Sequence, residues 1–179
     1  MKINMGCGWR DFGSDWTHID GGDYPHLAYN DIQNLEQFED NTVDLIYASH
    51  VIEYFDREEV VAVLSEWKRI LKSGGVLRLA VPNFEIIAKL YCNGDYPLKN
   101  FLGPLYGKME MSGKKIFHKT AYDLISLREL LISIDFTNVK EYNWRETEHH
   151  MQDDHSQAYL PHMNKESGTL ISLNIECIK

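Results

Sequence analysis

The chain has 179 residues, of which 44% are hydrophobic and 25% charged, as in a globular domain that buries a core. Its formal net charge of −9 argues against an extended phosphate-binding surface, because such a surface needs clustered Lys and Arg. The 3 cysteines lie far apart, which favours free thiols in a reducing cytoplasm. Neither a leader sequence nor a long apolar run is present. We therefore expect one cytoplasmic domain over residues 1–179 that binds neither nucleic acid nor a membrane.

The first stretch of the chain predicts a buried strand over Lys2–Met5, and Gly6, Cys7 and Gly8 then predict a tight turn at its carboxyl end. Glycine takes positive φ and lets a ligand approach the backbone, because it has no Cβ. Ligands of open α/β sheets bind outside the carboxyl ends of the strands, so this turn predicts a cofactor site. A Gly-X-Gly is also common in ordinary turns, and only its surroundings can decide.

Three further strands are predicted before the first long helix. Short strands are expected at residues 16–20 and 27–31, and Asp20 ends the first of these. A polar loop then leads to residues 43–48, whose nearly continuous apolar run is typical of a central parallel strand covered on both faces.

The helix that follows has the clearest local signals. Asp56 with Glu59 three residues later predicts a capping box, and apolar residues then follow at helical spacing. The Ser-Gly-Gly at residues 73–75 is expected to end this helix. A strand at 76–81 and a shorter amphipathic helix at 84–91 come next.

The second half of the chain predicts two candidate lids. A loop as long as residues 93–119 is rarely idle in a compact domain, so we expect a lid or substrate-binding segment there. Thr120 predicts the cap of another helix. Strands at 138–144 and 169–178 follow without a helix between them and so form an antiparallel pair, with the polar, His-rich residues 145–167 as the second lid. The pattern predicts an α/β three-layer sandwich.

A set of short motifs occurs in order along the chain. They are Ile-Asn-Met-Gly-Cys-Gly at 3–8, Ile-Asp at 19–20, Asn-Asp-Ile at 30–32, Phe-Glu-Asp-Asn-Thr-Val-Asp at 38–44, Ala-Ser-His-Val-Ile-Glu at 48–53, Leu-Lys-Ser-Gly-Gly at 71–75 and Ile-Asp-Phe at 134–136. The ordered set resembles the class I S-adenosylmethionine-dependent methyltransferases, in particular the small, type 11-like members. The resemblance implies a Rossmann-like, mostly parallel sheet of seven strands with the last strand antiparallel, and S-adenosylmethionine as cofactor.

The resemblance also implies roles for the residues of the first two strand ends. Gly6, Cys7 and Gly8 would pass the amino-acid and ribose portions of the cofactor along the backbone. Asp20 would accept hydrogen bonds from the ribose hydroxyls. The acid that usually precedes the first glycine is Asn4 here, so the contact to the cofactor's amino group is either made by an amide or absent.

Further roles are implied for residues after the third and fourth predicted strands. Asp31 and the Ile32 backbone would hold the adenine edge, and Ser49 and His50 would lie beside the methionine part and the sulfonium. If the chain turns helically after the strand, His50 and Glu53 share one face. The imidazole could then take a proton from a hydroxyl or amine while the carboxylate orients it, but His50 packing by the cofactor and Glu53 capping backbone amides explains the pair equally well.

Three other groups of residues have weaker functional interpretations. The spacing of the His and Asp residues of the second lid matches no zinc pattern, so we predict no metal site, and Tyr159 and His162 are candidates to touch the acceptor instead. A locally basic stretch is interpreted as a solvated loop, or else as a contact to an anionic substrate. The residues concerned are His149, His150, Asp153, Asp154, His155 and His162 in the lid, and Lys99, Lys108, Lys114, Lys115 and Lys119 in the basic stretch.

The leading hypothesis is an enzyme that transfers a methyl group from S-adenosylmethionine in line to a small-molecule acceptor. A dinucleotide oxidoreductase is disfavoured, because the third glycine position of its fingerprint is Asp11 and Asp20 comes too early. The alternative is a non-catalytic S-adenosylmethionine-binding module or a subunit of a larger assembly. The first strand begins without preceding helices, which leaves substrate recognition to the two lids or to a protein partner, and a homo-oligomer stays open.

Overall fold

The protein is built around one mixed β-sheet, seen in a computed structural model that describes residues 1–111 and 113–179. In chain order the elements are β1 (Lys2–Met5), β2 (Trp16–Ile19), β3 (Val43–Ser49), α1 (Glu59–Ile70), β4 (Leu71–Pro82), α2 (Phe84–Cys92), α3 (Leu102–Tyr106), β5 (Met109–Met111), β6 (Lys114–Ile116), α4 (Leu124–Ser133), β7 (Thr137–Glu141), β8 (Tyr159–Leu160), β9 (Thr169–Leu170) and β10 (Ser172–Ile178). The sheet order is β2-β1-β3-β4-β10-β7. The four strands from β2 to β4 are parallel, and β10 is antiparallel to both neighbours. The predicted α/β class and antiparallel last strand are confirmed.

The strand count differs from the prediction, because the sheet has six strands in the described part of the chain and not seven. Residues 27–31 contribute a single parallel bridge, between Tyr29 and Ile19. The Asp31 carboxylate accepts hydrogen bonds from the backbone N–H groups of Gln33 and Asn34, which turns the chain away from the sheet. The predicted third strand is therefore an extended edge segment.

One face of the sheet is apolar, and α1 and α4 cover it. Ile3, Ile46 and Leu77 lie side by side on β1, β3 and β4 and are fully buried. Trp67 of α1 and Leu131 of α4 belong to the same buried cluster. Because burying one large apolar side chain contributes about 1.5–3 kcal/mol, this cluster is the main source of stability.

The other face is polar, and irregular chain covers it. Asn4 and Tyr47 are paired residues of β1 and β3, and both are buried. Residues 142–158 lie over this face, where Tyr47 Oη donates a 2.5 Å hydrogen bond to Asp154 Oδ2 and the His149 ring lies 4.1 Å from the Tyr47 ring. The third layer of the predicted sandwich is thus a hydrogen-bonded segment rather than a set of helices.

Residues 93–119 contain regular structure where the sequence predicted a loop. They include α3 and the antiparallel hairpin of β5 and β6. Phe101 is buried in a second, smaller apolar cluster with Ile87 of α2, Leu160 and Ile171. This cluster attaches the segment to the carboxyl-terminal part of the chain. Across residues 1–111 and 113–179, none of the helices combines the length and apolar character needed to cross a bilayer.

The helix caps of α1 and α4 both differ in position from the prediction. The predicted hydrogen bonds of the α1 cap are present, since Asp56 Oδ1 accepts from the Glu59 N–H at 2.8 Å and Glu59 Oε2 accepts from the Asp56 N–H at 3.0 Å. The helix itself begins at Glu59, however, so its N-cap is Glu58 and not Asp56. The cap of α4 is Asp123 and not Thr120. Helix α1 already ends at Ile70. Residues 73–75, which were predicted to end it, lie within β4.

Removing the cap of α4 tests its contribution to stability. Asp123 Oδ1 accepts from the Ser126 N–H at 2.8 Å. We expect Asp123→Ala to lower the free energy of unfolding by about 1 kcal/mol, the usual cost of losing such a cap. Urea unfolding at pH 7 measures the change, with the exposed mid-helix Glu129→Ala as a control that stays within about 0.5 kcal/mol of the parent. Equal values for the two variants would contradict the assignment.

Candidate functional site

The carboxyl ends of β1 and β2 are tied together by one carboxylate. Asp20 follows β2, is 7% exposed and accepts two backbone hydrogen bonds, from the Gly8 N–H at 2.8 Å and from the Gly22 N–H at 2.7 Å. Gly6 and Gly8 both have positive φ, at 64° and 58°. The turn therefore depends on glycine at two positions, and Asp20 fixes its outer half.

The two glycines of the turn have different surroundings. A Cβ on Gly6 would lie 2.3 Å from Cγ2 of Val51, so the turn packs directly against the chain that follows β3. A Cβ on Gly8 would meet nothing within 4 Å. The Gly8 backbone thus borders open space, where a ligand can approach the main chain without meeting a side chain.

A cluster of polar atoms without partners lies just after β3. Ser49 Oγ, His50 Nε2 and both carboxylate oxygens of Glu53 are buried and make no hydrogen bond within the described chain. His50 Nδ1 is 3.6 Å from Glu53 Oε1. From the distant segment before α4, His118 Nε2 approaches the same oxygen to 3.7 Å. Buried polar atoms are normally paired, so a group of unpaired ones marks a place prepared for a ligand or for proton transfer.

Burial sets the protonation states in this cluster. It raises the pKa of Glu53, which is fully buried, to about 8. Burial, and then repulsion from His155 and His118, lower the pKa of His50 well below its usual value. At neutral pH the pair therefore holds a neutral imidazole beside a carboxyl group that still carries its proton. A neutral imidazole with an unpaired nitrogen can accept a proton.

Both the sequence and the fold of this chain are similar to those of known methyltransferases. The family model described as a methyltransferase domain matches residues 16–79. Solved structures of S-adenosylmethionine-dependent methyltransferases match 99% of this chain: one from Archaeoglobus fulgidus (TM-score 0.59, 15% identity, 85% of that chain) and one from Thermotoga maritima (TM-score 0.59, 15% identity, 81% of that chain). The chain therefore has the fold of these methyltransferases, and residues 16–79 match the methyltransferase-domain model.

A third similar structure carries a product of the cofactor. It is the Burkholderia thailandensis 1,6-didemethyltoxoflavin-N1-methyltransferase with bound 1,6-didemethyltoxoflavin and S-adenosylhomocysteine (TM-score 0.56, 10% identity, 99% of this chain and 70% of that chain). No curated protein sequence gives a significant match to the chain. These matches establish the fold, and the residues of the candidate site are identified from the geometry described above.

The remaining predicted cofactor residues, Asp31, Ile32 and Asn4, lie in environments that do not by themselves indicate a ligand. Asp31 is exposed, and its carboxylate is engaged by the two N–H groups described above. The Ile32 carbonyl accepts a 2.7 Å hydrogen bond from the indole N–H of Trp67, so it is already used within the fold. Asn4 is 2% exposed on the polar face of the sheet. Their roles toward the cofactor stay predictions.

Cys7 is part of the backbone turn and has a poor environment for nucleophilic chemistry. It is 4% exposed, and its Sγ lies 3.6 Å from Nε2 of His26. Burial, followed by the Asp20 charge, raises the pKa of Cys7 to about 12. The thiol therefore stays protonated at neutral pH.

The histidines of the second lid are dispersed. His149 packs on Tyr47, the Nδ1 atom of His150 lies 2.8 Å from the Thr147 carbonyl oxygen, and only His155 reaches the site, with its ring 5.0 Å from the His50 ring. Within residues 1–111 and 113–179, no three His, Cys, Asp or Glu side chains are grouped to hold a metal ion.

The two residues of the second lid that were predicted to touch the acceptor, Tyr159 and His162, have different environments. Tyr159 is 7% exposed, and its hydroxyl oxygen accepts from the Trp144 indole and the Arg145 guanidinium. It therefore has a structural role in this conformation. His162 is exposed.

Sequence reasoning missed three residues around the cluster. His118 and Tyr122 come from the segment before α4, and Arg10 binds the second lid through a 2.8 Å hydrogen bond from its Nε to the Asp153 carbonyl. The sequence offered one signal for His118, namely that it is a single histidine next to a glycine-rich segment. None of the three lies in a motif with recognisable spacing.

Proposed function

We propose that this chain is an S-adenosylmethionine-dependent methyltransferase that acts on a small-molecule acceptor. The observation that supports this best is the set of unpaired, buried polar atoms of Ser49, His50 and Glu53, on the segment that packs through Val51 against the glycine turn. A ligand with a polar amino-acid part and a ribose would satisfy such a site. When bound, S-adenosylmethionine supplies an electrophilic methyl group that passes to the acceptor as its bond to sulfur breaks and the sulfur keeps the electron pair.

The turn offers this ligand backbone groups and one carboxylate with spare acceptor capacity. The Gly6, Cys7 and Gly8 backbone would border the amino-acid and ribose portions. Asp20 uses two of the roughly four lone-pair positions of a carboxylate on Gly8 and Gly22, so acceptor capacity remains for the ribose hydroxyls. Asp31 and Ile32 would border the adenine.

His50 and Glu53 are the residues that would handle the acceptor's proton. As the acceptor oxygen or nitrogen forms its bond to the methyl carbon, its proton passes to Nε2 of His50, which has no other partner. Glu53 orients the ring through the 3.6 Å approach to Nδ1. Methyl transfer also depends strongly on placing the acceptor in line, which the surrounding segments would do.

Asp20→Asn tests the cofactor site. An amide has only one acceptor oxygen, so it cannot accept from both Gly8 and Gly22 and keep an oxygen for a ribose hydroxyl. We expect the Kd for S-adenosylhomocysteine, measured by isothermal titration calorimetry, to rise at least about tenfold. Asp23→Asn, the same change at a nearby exposed residue, is the control. An unchanged Kd for Asp20→Asn would remove Asp20 from the site.

Turnover separates an enzyme from a binding module. With S-adenosylmethionine and small-molecule fractions of cell extract, we expect release of S-adenosylhomocysteine that is lost in His50→Ala. Tight binding of S-adenosylhomocysteine with no turnover on any fraction would instead support the non-catalytic module.

A further inference from the structure

An open cleft of about 430 Å³ lies beside the Glu53 cluster. It is formed by the amino-terminal ends of α2 and α4 together with the end of α3 and the chain that precedes α4. A role for this cleft in binding the methyl acceptor rests on the proposed methyltransferase function.

The inner wall of the cleft touches the cluster. His118 lines the cleft, and its Nε2 is 3.7 Å from Glu53 Oε1. Tyr122 lines it too; it is 6% exposed, and its hydroxyl has no hydrogen-bond partner among the described residues. Burial and the nearby Glu53 raise the pKa of Tyr122, so its hydroxyl keeps its proton and is available as a donor. The inner wall of the cleft therefore carries the unpaired Tyr122 hydroxyl and, through His118, borders the Glu53 cluster.

His118 is held in this wall by its neighbours. A Cβ on Gly107 would lie 1.9 Å from His118 Nε2, so the ring occupies the space that glycine leaves. The Nδ1 atom lies 3.1 Å from the Pro104 carbonyl oxygen, and the Tyr54 hydroxyl donates to the Gly107 carbonyl at 2.5 Å. The segment containing α3 is thereby connected to the residues after β3.

The outer part of the cleft combines exposed aromatic rings with one free positive charge. Phe84 is 47% and Tyr106 57% exposed, so both rings are accessible to a ligand in the cleft. Arg57 is exposed and makes no ion pair within the described residues. The other charged groups are engaged, since Lys119 Nζ is 2.6 Å from Glu59 Oε2 and the Asp123 carboxylate caps α4.

We infer that this cleft binds the methyl acceptor, and that the acceptor is a planar aromatic molecule with an anionic substituent. The aromatic ring would lie on Phe84 and Tyr106, because aromatic faces favour stacked or edge contacts with planar ligands. The anion would pair with Arg57, whose guanidinium matches carboxylate and phosphate geometry. The hydroxyl or amine to be methylated would point to the inner wall, toward His118 and Tyr122.

Binding to the protein saturated with S-adenosylhomocysteine tests this inference without requiring turnover. The probes are 4-hydroxybenzoate and 4-hydroxycinnamate, with 4-methylphenol as the uncharged match and 4-hydroxycyclohexanecarboxylate as the non-planar match. We expect the two aromatic acids to bind more tightly than either matched compound. We expect Arg57→Gln to weaken binding of the acids about tenfold and to leave 4-methylphenol unchanged.

Two further variants keep the result interpretable. Lys99→Gln removes an exposed positive charge that does not line the cleft, and it should not change binding of the acids. Phe84→Leu removes the ring but keeps an apolar side chain, and it should weaken the aromatic acids more than the cyclohexane acid. If neither aromatic acid binds, or if Arg57→Gln and Lys99→Gln bind them equally, the inference is wrong while the proposed function stands. If S-adenosylhomocysteine itself fails to bind, the proposed function is wrong.

Discussion

Gly6→Ala is expected to lower the free energy of unfolding by about 2–5 kcal/mol. Two effects add. The φ of 64° is in the left-handed region, which costs an L-residue about 1–2 kcal/mol. In addition, the new Cβ would lie 2.3 Å from Val51 Cγ2, and Val51 is a 6% exposed member of the main apolar cluster, so it cannot move away without repacking. Overpacking of this kind costs about 1–3 kcal/mol.

Gly8→Ala is the matched variant in the same turn. Its φ of 58° predicts a similar backbone cost, but its Cβ meets nothing within 4 Å, so we expect it to fold with a loss of only about 1–2 kcal/mol. The methyl group would nevertheless enter the space proposed for the cofactor. We therefore expect Gly8→Ala to raise the Kd for S-adenosylhomocysteine at least about tenfold.

Urea unfolding and calorimetric titration measure the two changes independently. A Gly6→Ala protein as stable as the parent would mean that Val51 does not pack on this turn. A Gly8→Ala protein that binds S-adenosylhomocysteine like the parent would show that the open space beside Gly8 is not the cofactor site, whatever its stability.

Features fixed by local interactions were predicted well from the sequence. The turn at Gly6 and Gly8 and the capping box of Asp56 and Glu59 depend on residues within a few positions of each other, so the sequence contains the whole signal. The same reasoning explains the wrong cap on α4. Thr120 and Asp123 both precede the apolar run, but the Thr120 N–H bonds to the Glu53 carbonyl at 3.3 Å, which holds it outside the helix.

Features that depend on tertiary contacts could not be predicted in this way. The segment at residues 27–31 has the composition of a strand, yet it lies at the edge of the sheet and Asp31 turns it away after one bridge. The polar face of the sheet has no counterpart in the sequence pattern, since Tyr47 lies in an apolar run and finds its partner Asp154 far along the chain.

In the candidate site, too, the contacts between residues in recognisable motifs were predictable and the contacts from distant segments were not. The motif order placed Asp20 next to the glycine turn, and the structure confirms that these residues meet. The pairing of His50 with Glu53 follows from a spacing of three and is also present. His118 reaches Glu53 only because the segment before α4 packs against the residues after β3, where the Lys119 N–H donates to the Glu53 carbonyl at 2.8 Å, so no local pattern could have indicated it.

Glu53→Gln is expected to make the protein more stable at alkaline pH and to slow methyl transfer, because the glutamine amide can turn an N–H group instead of an oxygen toward His50 Nδ1. The folded-state pKa of Glu53 is about 8 against an ordinary value of 4.5, so the folded protein binds the proton more tightly than the unfolded chain. The stabilisation from this proton is complete below about pH 4.5 and is lost as the pH rises through 8. Glutamine has the same shape and is always neutral, so the variant does not lose stability as the pH rises through 8.

The histidines beside Glu53 change the free energy of unfolding with pH in the opposite direction, and they do so at lower pH. Burial lowers the pKa of His50 and of His118 below 6.5, so their ionisation weakens the folded state only at acid pH. Between pH 6.5 and 8 the change is therefore dominated by Glu53. Over this interval we expect the free energy of unfolding of the parent to fall by about 1–2 kcal/mol relative to Glu53→Gln, at about 1.4 kcal/mol per pH unit for full ionisation.

Urea unfolding of both proteins at pH 6.5 and at pH 8 measures this difference, and Glu129→Gln, on the exposed face of α4, controls for the loss of one carboxylate. Release of S-adenosylhomocysteine at pH 8 gives the second readout. A residue with a purely structural role would gain stability on neutralisation and keep its activity, whereas a member of the proton-accepting pair gains stability and loses turnover. A Glu53→Gln protein that keeps full turnover would contradict the orienting role proposed for Glu53, because the buried carboxyl group would then be dispensable for the reaction.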